Sequence, residues 1–489
     1  MDNIISWIKK NKVPIILTAI IIAGFLVRII TINSQDGLWC DEAYSWWVST
    51  LSFPFGIIDE LRAHDYHPPL YHFMLHFWMK LFGDSDVALR ILSVIFSTAS
   101  IGVSYLIGKN MKDKTCGLIC AALNAFLLFN LIHAKEVRFY VPSVTFAALS
   151  LLFTIKVFDE EKITKPLIGL VISNTLLIYT LTTGAFFVAI ANLVLLIFLI
   201  ASKKEKFEEF LLSQFVIFLA CTPQFIFMFG QYLQTRSHNP WSRMPLDPFL
   251  IFEYIKKSFM PWNGIFHQGI YTIMAVLLLI AIIVILFKIF RKHDKKFWII
   301  FLIFCIYFLF LFLTTHFKIM PLGFNYMGIF MMMFIIIISY LITEYKQTLA
   351  SILFFIVFSA QIYFGYWAHI MDDEFGNFYK PYGYKIPAIY IKEEGYGKDA
   401  LIWMGWGDRL IRYIDNNAKR MLSSLDVDEV PIGGRYIIIS ASSLKEEGIY
   451  NETIEDERFK EIFTTEKLDK EEQDKRLGIY KLAIFERIE

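Results

Sequence analysis

The feature that most constrains this chain is a series of apolar runs, each long enough to cross a membrane, that recurs up to about Trp367. A helix needs roughly 20 mostly apolar residues to cross a bilayer, and it satisfies its own backbone hydrogen bonds there. The runs predict about eleven transmembrane helices. These lie at 13–31, 88–108, 115–132, 139–157, 166–182, 184–201, 210–230, 269–290, 297–314, 325–343 and 349–367.

The composition agrees with an integral membrane protein. Of 489 residues, 56% are hydrophobic, which is more apolar surface than a soluble core of this size would bury. The formal net charge is +1 and no basic face is interleaved with aromatic residues, so no nucleic-acid partner is expected. The first apolar run is long enough to span rather than to be cleaved as a signal peptide.

Lysine and arginine in the short loops predict the orientation. They cluster in "KKNK" near the N-terminus and at 109–114, 202–206, 287–296 and 344–347, which all fall on one side. The positive-inside rule makes that side cytoplasmic. With an odd number of spans, the N-terminus is cytoplasmic and the C-terminal segment is extracytoplasmic.

The composition changes after residue 367. The segment 368–489 is charged and has no spanning run, which predicts a small soluble α/β domain behind a transmembrane domain at 1–367. The stretches "DALIWMGW", "RYIIISAS" and "IYKLAIFERI" predict strands, whereas "YKIPAIYIKEEGY" and "WGDRLIRYIDNNAK" predict helices.

The outer loop at 32–87 is unusually long and rich in aromatic and acidic residues, which is typical of a functional loop. In "WCDEAYSWW", Asp41 and Glu42 stand among three tryptophans and a tyrosine. Neighbouring rings desolvate a carboxylate and raise its basicity, as a general base requires. The alternative is an acidic start to a helix.

The later part of this loop, "PPLYHFMLHFWMKLFG", has apolar residues at helical spacing and is too short to span. It predicts an amphipathic helix on the membrane surface, with Pro68 and Pro69 at its first turn. Just before it, His64, Asp65 and His67 offer metal ligands. Spacing alone is weak evidence for a metal, and a substrate-orienting role for Asp65 and His67 is the alternative.

A second outer cluster lies in "HAKEVRFY", between two predicted spans. Lys135 is expected to snorkel to the membrane surface. Glu136 and Arg138 do not face each other on a helix, so each is expected to have its own partner. Arg138 is a candidate phosphate ligand through its planar guanidinium, Glu136 a candidate hydroxyl acceptor, and Tyr140 a candidate substrate-orienting residue.

Taken in order, "DEAYS", "HPPLYHFMLHFWMKLFGDSDVALRILS" and "AKEVRFYVPSVTFAALSLL" resemble the membrane-embedded C-type (GT-C) glycosyltransferases. Within that superfamily, the chain is similar to the dolichyl-phosphate-mannose protein mannosyltransferase-like and aminoarabinose transferase-like enzymes. The resemblance implies a polyprenyl-phosphate sugar donor, an acceptor hydroxyl and inverting transfer on the extracytoplasmic face. It assigns the catalytic base to Asp41, the acid of the second outer loop to Glu136, and the arginine near the lipid phosphate to Arg138.

The chain departs from the usual pattern of these enzymes at two places. Relatives often carry a His-Tyr-Tyr-like stretch where this chain has "YTLTTGAF", and Arg-Tyr where it has Asn325-Tyr326. The second departure removes one expected cation, for which His316 and Lys318 are the candidate substitutes. No cofactor is required by this chemistry, although a divalent metal is an open possibility.

The sequence therefore predicts a polytopic α-helical membrane glycosyltransferase with a small extracytoplasmic domain. A transporter or flippase for a lipid-linked glycan is the alternative. Transporters place ionisable groups near the bilayer midplane, whereas the acids of this chain gather at one face.

Overall fold

The computed structural model describes residues 10–32, 37–235, 294–317, 324–344, 390–394, 401–404, 419–420, 430–440, 448–465 and 481–488. The chain divides into two compact units. The first comprises Met1–Ile32, Ser52–Gly83 and Ala88–Asp372, and the second comprises Asn33–Leu51, Asp84–Val87 and Asp373–Glu489. The predicted domain boundary at 367/368 lies outside the described residues and stays a prediction.

Helices dominate the first unit. The α-helices among the described residues are, in order, α1 (Lys12–Ile30), α2 (Cys40–Thr50), α3 (Phe55–His64), α4 (Leu70–Phe82), α5 (Asp86–Met111), α6 (Lys114–Phe126), α7 (Leu128–His133), α8 (Tyr140–Asp159), α9 (Thr164–Ile178), α10 (Thr182–Ser202), α11 (Phe207–Thr235), α12 (Lys295–His316), α13 (Gly328–Glu344) and α14 (Gly448–Glu455). Of these, α2 and α14 belong to the second unit.

In the described part of the chain, six helices are long and apolar enough to cross a membrane, namely α1, α5, α8, α10, α11 and α12. Three shorter apolar helices, α6, α9 and α13, coincide with further predicted spans. The predicted span at 115–132 is interrupted at Leu127, where extended backbone separates α6 from α7. The spans predicted at 269–290 and 349–367 lie outside the described residues, so the count of eleven is not established.

A buried arginine joins α1 to its neighbours. The Arg28 Nε donates to Ser97 Oγ at 2.8 Å, and the guanidinium also donates to the carbonyl oxygens of Gly24, Asn124 and Ala125. Asn124 and Ala125 lie in the last turn of α6, whose carbonyl groups have no partner within the helix and carry partial negative charge. Arg28 therefore closes the C-terminal end of α6.

Lysines and a second arginine close other helix ends in the same way. Lys135 Nζ donates to Thr31 O at 3.0 Å, and Arg90 donates to Ile32 O at 3.1 Å, directly after α1. Lys135 is 2% exposed, so it is buried rather than snorkelling as predicted. Lys206 Nζ donates to three carbonyl oxygens at the end of α8, those of Val157, Phe158 and Glu160.

Helix α4 has two distinct faces, as the sequence predicts for an amphipathic helix. Its buried face carries Tyr71, His72, Leu75 and His76. The apolar side chains of Phe77, Leu81 and Phe82 are exposed. Pro69 is the N-cap residue of α4, where its missing N–H costs no hydrogen bond. The exposed apolar face suits a membrane surface better than water.

The second unit contains a five-stranded mixed sheet. Its strands are β1 (Leu401–Met404), β2 (Lys419–Arg420), β3 (Arg435–Ser440), β4 (Phe459–Thr464) and β5 (Lys481–Arg487), in the spatial order β2-β1-β3-β5-β4. Strand β1 pairs in parallel with β2 and β3, whereas β5 pairs antiparallel with β3 and β4. Strands β1, β3 and β5 confirm the three stretches that the sequence predicts as strands.

Tyr436, Ile438 and Phe485 pack with Tyr450 of α14 and Phe459 of β4 into the core of this sheet. Alternate residues of β3 share one face, as the period of two requires. Residues 390–393 form a helical turn within "YKIPAIYIKEEGY". The stretch "WGDRLIRYIDNNAK" lies outside the described residues except for its last residue, Lys419, which begins β2.

Candidate functional site

The first part of the site is the irregular segment 65–69, which joins α3 to α4. Asp65 is the C-cap residue of α3, and Pro69 is the N-cap residue of α4. Two consecutive prolines cannot continue α3, because they lack backbone N–H donors and restrict the residue before them. The sequence therefore interrupts the helix at Asp65 and leaves His67 on non-helical backbone.

A chain of hydrogen bonds fixes the imidazole of His67. Its Nδ1 lies 2.6 Å from Asp65 Oδ1, and its Nε2 lies 2.9 Å from the hydroxyl of Tyr326. Asp65 Oδ1 also accepts from the backbone N–H of Tyr66. The ring of Phe139 packs on His67 with 4.2 Å between centroids. The imidazole is thus held through both nitrogens and one face.

The second part of the site is the turn between α7 and α8. Glu136 is 5% exposed, and its Oε2 lies 3.0 Å from Nδ1 of His133. Ser93 of α5 donates to the backbone carbonyl of Glu136. Glu136 therefore has the separate partner that the sequence predicts, and this partner is a histidine three residues earlier on the same turn.

Arg138 is buried, and its guanidinium lies over two aromatic rings. The distance from Cζ is 4.7 Å to the ring centroid of Phe139 and 5.6 Å to that of Tyr140. The Tyr140 ring also packs against Tyr326, 5.7 Å away. Stacking of this kind orients a planar cation.

Electrostatics join the two parts of the site. Burial raises the pKa of Asp65, but the charge and hydrogen bond of His67 and the charge of Arg138 outweigh it and hold the pKa well below its usual range. Burial lowers the pKa of His72, in the first turn of α4, to about 3. At neutral pH the site therefore contains an ionised Asp65, a cationic Arg138 and a neutral His72.

His64 does not join Asp65 and His67. Its Nδ1 lies 3.0 Å from Glu60 Oε1, and its side chain is 66% exposed. Across the described residues, no group of three or more His, Cys, Asp or Glu side chains is arranged to hold a metal ion. The possible divalent metal stays an untested prediction, and its three suggested ligands do not come together.

Asp41 and Glu42 lie in the first turn of α2, in the second unit. Glu42 is fully buried, and its Oε2 accepts from the backbone N–H of Trp39 at 3.2 Å, as the N3 residue of a capping box does. Asp41 is partly buried, and its backbone carbonyl accepts from Ser45 Oγ at 3.0 Å. This contact of Glu42 is the one that the helix-start alternative predicts. The catalytic roles of Asp41, Glu42 and Glu136 stay predictions.

The structure describes one of the two candidate substitute cations, His316. It ends α12, and its exposed ring stacks on Phe312 and meets Phe317 edge-on. Lys318 lies outside the described residues. Sequence reasoning missed His133 and His72 as neighbours of the predicted residues. It named Tyr326 only as the residue that follows the departure at Asn325.

Comparisons with known proteins agree with this architecture. A sequence profile described as dolichyl-phosphate-mannose-protein mannosyltransferase matches residues 66–227, which include the 65–69 segment from Tyr66 and the turn with Glu136 and Arg138. No curated protein sequence matches the chain.

Solved structures share the fold. ArnT from Cupriavidus metallidurans bound to undecaprenyl phosphate is similar with a TM-score of 0.58 and 11% identity, over 96% of this chain and 97% of that chain. Its apo form gives a TM-score of 0.59. The Archaeoglobus fulgidus oligosaccharyltransferase in complex with Zn and sulfate gives 0.52 at 13% identity, over 83% of this chain and 62% of that chain.

Proposed function

We propose that the chain is a mannosyltransferase-like and ArnT-like member of the GT-C glycosyltransferase superfamily, and that it transfers a sugar from a polyprenyl-phosphate donor to an acceptor hydroxyl. The transfer is inverting and takes place on the extracytoplasmic face. The observation that carries the proposal is the buried Arg138, oriented on Phe139 and Tyr140 beside the Asp65–His67–Tyr326 chain.

The donor carries its own leaving group. In the proposed step, the acceptor oxygen attacks the anomeric carbon from the face opposite the phosphate, and the bond from that carbon to the phosphate oxygen breaks. Polyprenyl phosphate leaves with the electron pair, and the acceptor hydroxyl loses its proton to the carboxylate of Asp41. One base is sufficient, whereas a glycosidase needs an acid and a base on either side of the bond.

Arg138 would hold the departing phosphate. A guanidinium offers up to two parallel hydrogen bonds to phosphate oxygens, and a buried cation stabilises the negative charge that builds on them. Stacking on Phe139 and Tyr140 reduces the reorganisation needed when the phosphate arrives. His316 and Lys318 remain candidates for a second cation at this phosphate.

A similar structure supports the class of donor. That ArnT structure contains undecaprenyl phosphate, and its structural alignment with this chain covers nearly the whole of both chains. The prenyl tail of such a donor would lie in the bilayer against the apolar helices. The acceptor is a hydroxyl of a protein, a lipid or a cell-surface glycan.

The orientation follows the distribution of lysine and arginine. The N-terminus would be cytoplasmic, and the loop at 32–87 and the C-terminal domain would be extracytoplasmic. Replacing the five native cysteines first removes labelling at Cys40, which lies in the same predicted outer loop. In that background, Asp59→Cys and Lys112→Cys are each treated with a membrane-impermeant thiol reagent in intact cells. Only Asp59→Cys should react.

Purified protein in detergent with polyprenyl-phosphate mannose tests the activity. The proposal predicts release of polyprenyl phosphate that Asp41→Asn abolishes. Asp59→Asn is the matched control, because Asp59 is an exposed carboxylate on α3 of the same outer loop. Movement of the donor across the membrane of reconstituted vesicles, without bond cleavage, would instead establish the flippase alternative. A wild-type protein that neither cleaves nor transports a panel of polyprenyl-phosphate sugars overturns the proposal.

A further inference from the structure

Gln231 lies near the end of α11, far in sequence from the residues around His67. It is 2% exposed, and its side-chain Nε2 donates to three backbone carbonyl oxygens. The acceptors are those of Leu61 at 2.9 Å, Asp65 at 3.0 Å and His67 at 3.2 Å. One amide group thus contacts the last turn of α3 and the non-helical backbone that follows it.

This backbone needs partners from elsewhere in the fold. Residues 65–69 belong to no helix, and the two prolines bring no N–H groups, so the carbonyl oxygens have few local donors. Buried carbonyl groups left without donors cost free energy, because burial removes their hydrogen bonds to water. Gln231 supplies the donors for Asp65 and His67, and Thr182 Oγ1 donates to the carbonyl between them, that of Tyr66, at 2.6 Å.

The same segment is held at its far end. The backbone N–H of Leu70 donates to the carbonyl of Tyr179 at 3.1 Å. Tyr179 and Thr182 belong to "YTLTTGAF", and Tyr326 contacts His67 directly. One of the two places at which the sequence departs from the pattern of its relatives, "YTLTTGAF", therefore contacts residues 65–70, and the other, Asn325, directly precedes Tyr326.

We infer that Gln231 is a positioning residue for the proposed transfer, which holds the backbone of Asp65 and His67 so that the His67 imidazole stays beside Arg138. The expected loss of kcat/KM rests on the proposed function. The expected loosening of the backbone at Asp65 and His67 does not depend on it. Gln231 does not contact the donor, and it acts through the carbonyl oxygens of Asp65 and His67.

Gln231→Met tests this, since methionine keeps the length of glutamine and removes both N–H donors. Displacing a positioned group by about 1 Å costs up to about 100-fold in rate. We expect kcat/KM for polyprenyl-phosphate mannose to fall about 10- to 100-fold. Gln224→Met is the matched control. Gln224 is buried on α11 two turns earlier, and its Nε2 has no hydrogen-bond partner among the described residues.

Gln231→Lys is the rescue variant. Lys206 shows in this molecule that one ammonium group donates to three carbonyl oxygens at a helix end. Gln231→Lys should therefore retain more activity than Gln231→Met. If Gln231→Met is too unstable to purify, the comparison of Gln231→Lys with Gln231→Glu, which lacks donors, replaces it.

A double-mutant cycle with His67→Ala separates positioning from a general loss of stability. If Gln231 acts through His67, adding Gln231→Met to His67→Ala lowers kcat/KM by less than a further factor of about three. If instead the loss of kcat/KM in the double variant equals the product of the two single losses, the inference is overturned.

Hydrogen exchange at the backbone amides of Tyr66, His67 and Leu70 gives a readout without activity. It should be faster in Gln231→Met than in wild type and unchanged in Gln224→Met. Unchanged exchange in Gln231→Met also overturns the inference. A wild type without transferase activity, combined with faster exchange in Gln231→Met, would refute the proposed function and leave the positioning of this backbone standing.

Discussion

The imidazole Nε2 of His67 and the hydroxyl of Tyr326 lie 2.9 Å apart, although 259 residues separate them in the chain. Asp65 lies on the other side of the ring, 2.6 Å from Nδ1. Because the ionised carboxylate of Asp65 can only accept, Nδ1 donates to it, and the Tyr326 hydroxyl is the partner of Nε2. A ring held in this way loses little further freedom when a substrate binds beside it.

Tyr326→Phe should lower kcat/KM for the donor about 10-fold, since one hydrogen bond of about 1.4 kcal/mol corresponds to that factor. The phenylalanine ring keeps the packing against Tyr140, so the melting temperature should change by less than about 3 °C. Tyr340→Phe is the control, because its hydroxyl hydrogen-bonds to Asp294 in another part of the first unit. Equal activity losses in both variants would contradict a specific role for the contact with His67.

His72→Phe should stabilise the protein increasingly as the pH falls. Burial lowers the pKa of His72 to about 3, so the unfolded chain takes up a proton near pH 6.5 that the folded protein does not. Wild type therefore loses stability between pH 6.5 and 3, by up to about 1.4 kcal/mol per pH unit, relative to the variant. Thermal unfolding from pH 7.5 to 4.5 measures this, and parallel curves for the two proteins would refute it.

Arg138→Lys should raise KM for the donor by about 10-fold or more and change kcat less. Lysine keeps the positive charge but loses the planar stacking on Phe139 and Tyr140 and the paired hydrogen bonds to a phosphate. Steady-state kinetics with polyprenyl-phosphate mannose provide the measurement. Arg62→Lys, at an exposed position on α3, is the control and should resemble wild type.

Asp41 and Glu42 should respond differently to substitution despite being adjacent. Glu42→Ala removes the acceptor of the Trp39 N–H, and loss of a cap costs about 0.5 to 2 kcal/mol, so the melting temperature should fall. Asp41→Asn should leave the melting temperature within about 2 °C of wild type and abolish turnover. Substantial turnover by well-folded Asp41→Asn would exclude it as the base.

The sequence predicts the helical part of the fold well, because a membrane leaves few alternatives to long apolar helices. It does not predict the interruption at Leu127, where no glycine or proline marks the break. It also misses β4, "FKEIFT", in which two charged residues are adjacent and the alternation of apolar and polar residues is broken, at the register shift between Glu461 and Phe463. This strand is recognisable only beside its partner β5.

The site is predicted in part for a similar reason. Asp65, His67, Glu136 and Arg138 stand out locally, because acidic, basic and imidazole groups are unusual in loops so close to apolar spans. Tyr326 and Gln231 are ordinary residues on distant helices. Their importance comes from the tertiary structure, which brings them to the backbone and side chain of His67.

The closure of helix ends by distant cations has a consequence for biosynthesis. The C-terminal end of α1 receives its hydrogen bond from Lys135, which is 104 residues later in the chain. While the ribosome is still making the intervening residues, that end must find water or another temporary partner. Helix α1 therefore reaches its final state only after α5, α6 and α7 have been synthesised, so these four helices mature together during insertion.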